Sequence, residues 1–146
     1  MEKLIIRVEW CGKNYAGLYA DDKLGIVIST GRTLDKFKTE FAEAIDFHID
    51  GMIEDGDDIP QWAATKQYEI EYDLQLCAML HHISQYVSLA AISRVSGISK
   101  KQLEDYAAAR KNPRLPQQKK IKKALSTLGE EILSLSKWAA MNVERW

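Results

Sequence analysis

The residues best equipped for chemistry lie in a short basic stretch in the second half of the chain. Ser99-Lys100-Lys101-Gln102 puts two cations and an amide into the first turn of a helix that Ser99 can cap. Arg110-Lys111-Asn112-Pro113-Arg114 follows as a basic loop. These side chains suit a nucleic acid. A lysine can pair with guanine and Gln102 with adenine at the base edges. Arg110, Lys111, Asn112 and Arg114 can hold phosphates and fix register. With Lys119, Lys120, Lys122 and Lys123, residues 110–123 carry seven cations and no acid. The Lys119–Lys123 run, taken alone, reads as a solvated helix face that adds field rather than contacts.

The first half offers carboxylates instead: Asp21, Asp22, Asp46, Asp50, Asp57 and Asp58. A metal-dependent nuclease needs three or four converging acids. These acids fall at turns and on the polar side of a helix, where solubility accounts for them. His48 lies on an apolar stripe and reads as a core or half-buried histidine. His81 and His82 are adjacent, so their side chains diverge on a helix and make a poor metal site. No residue pattern calls for a metal or cofactor.

The charge is split along the chain. Residues 1–75 hold 8 Lys and Arg against 16 Asp and Glu, and residues 76–146 hold 12 against 5, which the formal net charge of −1 conceals. Two units follow, an acidic one over 1–75 and a basic one over 76–146. Hydrophobic and charged shares of 46% and 28% are those of a globular protein. Units this small bury modest cores, so a homodimer or higher homo-oligomer is expected. Cys11 and Cys77 are far apart in sequence and have no Cys-x-x-Cys spacing, against a disulfide framework or structural zinc. The N-terminal apolar run is too short for a signal peptide, and no stretch is long enough to span a membrane. The expected location is cytoplasmic.

The expected fold is α+β. Residues 3–10, 15–20 and 24–30 read as strands joined by tight turns, an antiparallel meander. Thr33 caps a helix whose stripe is Leu34, Phe37, Phe41, Ile45, His48, Ile49 and Met52. An acidic loop ends at Pro60. Tyr68, Ile70, Tyr72 and Leu74 alternate with polar residues as a fourth strand of an N-terminal antiparallel sheet. Residues 76–86 read as a helix. Next, Ser88 and Ser99 can each cap a helix, and Gly97 supplies the tight turn between them. Ile92, Ile98 and Leu103 sit where two helices must pack, and Ser93 lets them cross closely. The pattern is a helix-turn-helix, so the second unit is expected to be all-α. Ile132, Leu135, Ala139, Val143 and Trp146 mark a last helix, with Trp138 and Met141 beside its stripe. It suits either a dimer contact or core packing.

From about residue 76 to 135 the chain resembles the phage-repressor (Xre/Cro-like) helix-turn-helix family. The resemblance rests on residues 88–106, on Tyr106-Ala-Ala-Ala-Arg-Lys-Asn-Pro-Arg-Leu-Pro116 and on Ile121-Lys-Lys-Ala-Leu125. It implies that double-stranded operator DNA is bound through residues 99–102 and 110–114. Leu89 stands where members often carry a phosphate-holding Gln. Glu104 and Asp105 would repel phosphate unless they face away or accept from a cytosine amino group.

Taken whole, the chain resembles the HicB antitoxin family. The carriers in the first half are the 5–10 strand, Tyr15-Ala-Gly-Leu-Tyr-Ala20, Val27-Ile-Ser-Thr-Gly-Arg-Thr-Leu34, the amphipathic helix and Asp57-Asp-Ile-Pro60. Members commonly have Pro-Asp-x-x-Gly-Cys before the third strand, and here Asp21-Asp-Lys-Leu-Gly-Ile26 keeps an Asp and the Gly only. The resemblance implies a partial ribonuclease-H-like fold without nuclease activity. It also implies that the acidic unit binds a small basic HicA-type messenger-RNA-cleaving toxin, while the basic unit represses the shared operon. Two rivals are a stand-alone regulator whose N-terminal module dimerises or senses a ligand, and an active ribonuclease-H-like enzyme using Asp21, Asp46 or Asp50.

Overall fold

The computed structural model describes residues 1–141, with side chains described through Trp138. The chain divides into two compact units, Met1–His82 and Ile83–Trp146.

The first unit opens with β1 (Glu2–Trp10), β2 (Tyr15–Asp21) and β3 (Gly25–Gly31). Alternation sends Leu4, Ile6 and Val8 inward, where they are buried, and leaves Lys3, Ile5 and Arg7 on the open face. The β2–β3 turn is set by Asp21, whose carboxylate accepts from the Lys23 and Leu24 N–H groups at 2.7 and 3.0 Å. Gly25 completes the turn at φ +79. The three strands pair antiparallel as expected.

Thr33 then caps α1 (Leu34–Glu54), its hydroxyl accepting from the Lys36 N–H at 3.1 Å. Leu34, Phe37, Phe41, Ile45 and Ile49 are buried, and His48 is half-buried with its ring N–H on the Leu24 carbonyl. After the short α2 (Gln61–Ala64), β4 (Tyr68–Leu74) joins the other edge, giving the order β3-β2-β1-β4. β4 pairs parallel to β1, so the sheet is mixed and not the antiparallel one expected. The cause is α1. Its 21 residues run about 30 Å back along the sheet, so the next strand repeats the direction of β3 and hence of β1.

The break between units also falls later than residue 75. α3 (Leu76–Ile83) buries Cys77, Ala78 and Leu80, and Ala78 packs with Leu4, Ile6 and Phe41 in the first core. His81 stacks on Trp10 at 3.5 Å between ring centres. Charge marks surfaces, and the apolar residues of α3 carry no charge to place the border.

The second unit holds α4 (Leu89–Ser96), α5 (Lys100–Ala107) and α6 (Leu115–Met141). Its buried hydrophobic residues, among those described, are Ile92, Ile98, Leu103, Tyr106, Ile121 and Ala124. α6 is one helix of 27 residues where the sequence pattern gave two. Pro116 stands in its first turn, where its missing N–H costs no hydrogen bond. Ala139, Val143 and Trp146 of the expected last stripe, and Met141 beside it, lie outside the described side chains.

Two glycines with opposite settings test this packing. A Cβ on Gly31 would lie 2.5 and 2.6 Å from Phe37 N and Cα, against helix backbone that cannot give, whereas one on Gly51 would meet nothing within 4 Å. Gly31→Ala is expected to lower unfolding stability by about 2 kcal/mol or more. Gly51→Ala, inside α1, is expected to raise it by about 0.5–1 kcal/mol. Urea titrations followed by circular dichroism would check both.

Candidate nucleic-acid interface

The α4–α5 junction is held by hydrogen bonds from its backbone and its serines. Ser88 caps α4, accepting from the Ala91 N–H at 3.1 Å. Gly97 ends α4 at φ +76 and donates its N–H to the Ser93 carbonyl. Ser93 also donates its hydroxyl to the Ile98 carbonyl at 2.6 Å, and the Ile98 N–H donates to Ser96 Oγ at 3.2 Å. Ser93 is thus a turn-holding hydrogen bonder as well as a small residue. Ser99 accepts from the Gln102 N–H at 3.2 Å. Ile98 is buried at the turn and Leu103 on α5, which fixes the roll of α5 and leaves Lys100, Lys101 and Gln102 exposed.

The loop after α5 has a defined geometry that its sequence does not advertise. The Arg110 N–H donates to the Asp105 carbonyl at 2.9 Å, and the Ala109 N–H to the Tyr106 carbonyl at 3.1 Å. This is a Schellman ending, with Ala109 at φ +58 in the position that glycine usually takes. The ending reverses the chain and brings Arg110 and Lys111 back to the side of α5. Gln118 donates to the Pro113 carbonyl at 3.0 Å and secures the far end of the loop.

Asp105 is the residue whose role the sequence left open. It is only 5% exposed, the one buried charged side chain among the described residues. Its carboxylate accepts from Arg110 Nε at 2.9 Å and has Lys101 Nζ at 3.5 Å and Lys111 Nζ at 3.6 Å. It gathers Lys101 from the first turn of α5 and Arg110 and Lys111 from the loop around one point. The hydrogen bond from Arg110, followed by the charges of Lys101, Arg110 and Lys111, holds the carboxyl below its ordinary pKa. The only sequence signal was an acid at the i+4 position from Lys101 in a cationic region.

Glu104 has a lesser role. It lies 4.0 Å from Lys100, with both side chains well exposed. Such a pair is worth about 0.3–0.5 kcal/mol. A good base contact is worth about 1–3 kcal/mol, so Lys100 is available to a ligand. Of the residues nominated from sequence, Lys101, Arg110 and Lys111 are brought together. Lys100 and Gln102 stand on the same turn of α5. Asn112 and Arg114 are exposed along the loop. Lys119, Lys120, Lys122 and Lys123 are exposed on α6 around buried Ile121 and Ala124.

Three of the nominated carboxylates of the first unit, Asp21, Asp46 and Asp50, have structural partners. Lys66, itself at φ +54, reaches Asp46 at 2.8 Å and Asp50 at 2.6 Å, and these hydrogen bonds raise its pKa. Asp21 is committed to its turn. Among the described residues no group of three or more His, Cys, Asp or Glu is placed to hold a metal. The outer face of α1 carries exposed Glu40, Glu43 and Glu54 around Phe47, which is 81% exposed. On the open face of the sheet Ile5, Leu18, Ile26 and Ile28 are all more than half exposed.

Comparisons with protein-family models, with curated proteins and with solved structures return no match.

The lowered pKa of Asp105 fixes the sign of its acid response. The stability it adds is complete above the ordinary carboxylate value, about 4, and is lost as pH falls through the lower folded-state value. Thermal unfolding between neutral pH and pH 2 is expected to show this acid loss, and Asp105→Asn is expected to lessen it.

Proposed function

We propose that the chain is the antitoxin of a toxin–antitoxin pair. Its second unit binds operator DNA as a repressor, and its acidic first unit binds a small basic messenger-RNA-cleaving toxin of the HicA type. The observation that carries the DNA half is the convergence of the reading turn and the basic loop on one side of α5. Lys100, Lys101 and Gln102 present donors to base edges in a major groove, and Arg110, Lys111, Asn112 and Arg114 present donors to the flanking phosphates.

Dimeric binding is supported by the far part of α6. Leu125, Leu128, Ile132 and Leu135 recur at alternating spacings of three and four, the seam of a two-stranded coiled coil. Ile132 and Leu135 are 56% and 58% exposed in the single chain. A second copy of the same helix is the partner with a matching seam, and a dimer pairs two half-sites.

The toxin half is supported by the outer face of α1. An exposed aromatic ringed by carboxylates combines a hydrophobic anchor with a field that steers a basic protein. A three-stranded meander followed by a helix and a strand parallel to the first supports the partial ribonuclease-H-like reading. One observation favours the alternative of a stand-alone regulator with a dimerising N-terminal module. β3 is an edge strand of sequence Gly-Ile-Val-Ile-Ser-Thr-Gly with no charge or proline to block pairing, and the apolar open face continues from it.

Fluorescence anisotropy on the DNA upstream of the chain's own gene tests the first half. Six phosphate contacts would lose roughly 10³ in affinity between 50 and 200 mM salt. Lys100→Ala with Lys101→Ala is expected to cost sequence discrimination. Ile132→Asp with Leu135→Asp is expected to give monomers that bind a full site weakly, read by sedimentation and anisotropy together. Coexpression with the adjacent small basic reading frame tests the second half. Rescue of growth lost on Phe47→Asp is expected, and no complex with the wild-type chain would refute the toxin assignment.

A further inference from the structure

We propose that Asp105 is the positioning residue of the DNA interface, a buried anion that holds Arg110 and Lys111 in the geometry that grips phosphate. The inference rests on the DNA-binding reading above and goes beyond it, because an acid in a DNA interface is expected to weaken binding.

The geometry carries it. Asp105 holds residue 110 twice: its carbonyl accepts the Arg110 backbone N–H and its carboxylate accepts Arg110 Nε, both at 2.9 Å. An arginine held through Nε keeps its two terminal nitrogens side by side at the outer edge of a planar fork. That edge can bind phosphate with two parallel hydrogen bonds. Lys101 and Lys111 approach the same carboxylate at 3.5 and 3.6 Å, with side chains 75% and 68% exposed. One negative charge therefore sits under three cations, and the cluster keeps a net charge of about +2 toward solvent. Without Asp105 those cations repel one another, and three flexible side chains must be ordered by the ligand alone. The backbone adds a reason. Ala109 at φ +58 lacks the freedom of glycine, so the ending of α5 relies on its hydrogen bonds, and Asp105 provides both a side-chain and a main-chain acceptor.

A merely electrostatic role and a positioning role predict opposite signs. Asp105→Asn removes one negative charge from the interface. If charge alone matters, affinity for a mixed-sequence duplex rises. If Asp105 positions Arg110, affinity falls by about tenfold, the worth of one charge-assisted contact. The slope of log affinity against log salt then falls in magnitude by about 1. Arg110→Ala must also cost much less in the Asp105→Asn background than in the wild type. Each variant is compared below its own melting temperature, checked by circular dichroism. Should Asp105→Asn fail to fold, Arg110→Lys in the otherwise wild-type chain decides the matter. It keeps the charge and loses the fork, so it is expected to bind nearly as weakly as Arg110→Ala. Wild-type affinity in Arg110→Lys, or tighter binding by Asp105→Asn, would overturn the proposal. A wild-type chain that binds no duplex refutes the DNA-binding reading itself, a result distinct from either.

Discussion

A carboxylate taken out of water needs compensation, and Asp105 finds it in Arg110, Lys101 and Lys111. The basic surface of the second unit depends on this arrangement. Seven cations without an acid over residues 110–123 would repel one another if they all crowded onto one face. Arg110 and Lys111 are instead drawn to Asp105, while the lysines of α6 stand exposed beside buried Ile121 and Ala124. The first group is ordered by a nearby anion. The second is a dispersed cationic surface whose main effect is long-range field, attenuated beyond about 10 Å in ordinary salt.

The first unit solves the converse problem. It has an excess of acid, and its folded form gives several of those acids defined work. Asp21 fastens the β2–β3 turn, and Asp46 and Asp50 clamp Lys66 beyond α2. What remains outward on α1 is a carboxylate-rimmed phenylalanine. The core beneath is held by close approach. Gly31 lets β3 meet the first turn of α1 at backbone distance, and Phe37 fills the space above Gly17. The two units thus carry opposite surface charge over separately built cores.

Features governed by neighbours in sequence were legible. Thr33, Ser88 and Ser99 cap the helices that their positions announce, Gly97 adopts the left-handed turn, and Ile92, Ile98 and Leu103 are buried. Features that need a distant partner were not. Alternation marked residues 68–74 as a strand but cannot say which strand it joins or in which direction. The border between units followed charge and missed Cys77, Ala78 and Leu80, which report on packing alone. At the candidate site the exposed cations were readable because solvated groups keep their chemical character. The role of Asp105 was hidden because it depends on a Schellman ending built on alanine, with no glycine to signal the reversal that returns Arg110 to α5.

The central claim is that the chain meets DNA through one side of the second unit, with the first unit left to another partner. Amide hydrogen exchange of the full chain, with and without DNA from upstream of its own gene, tests this most directly. The account predicts slowed exchange concentrated over residues 99–114 and unchanged exchange on the outer face of α1. Protection confined to residues 1–82, or none anywhere at saturating DNA, would contradict it.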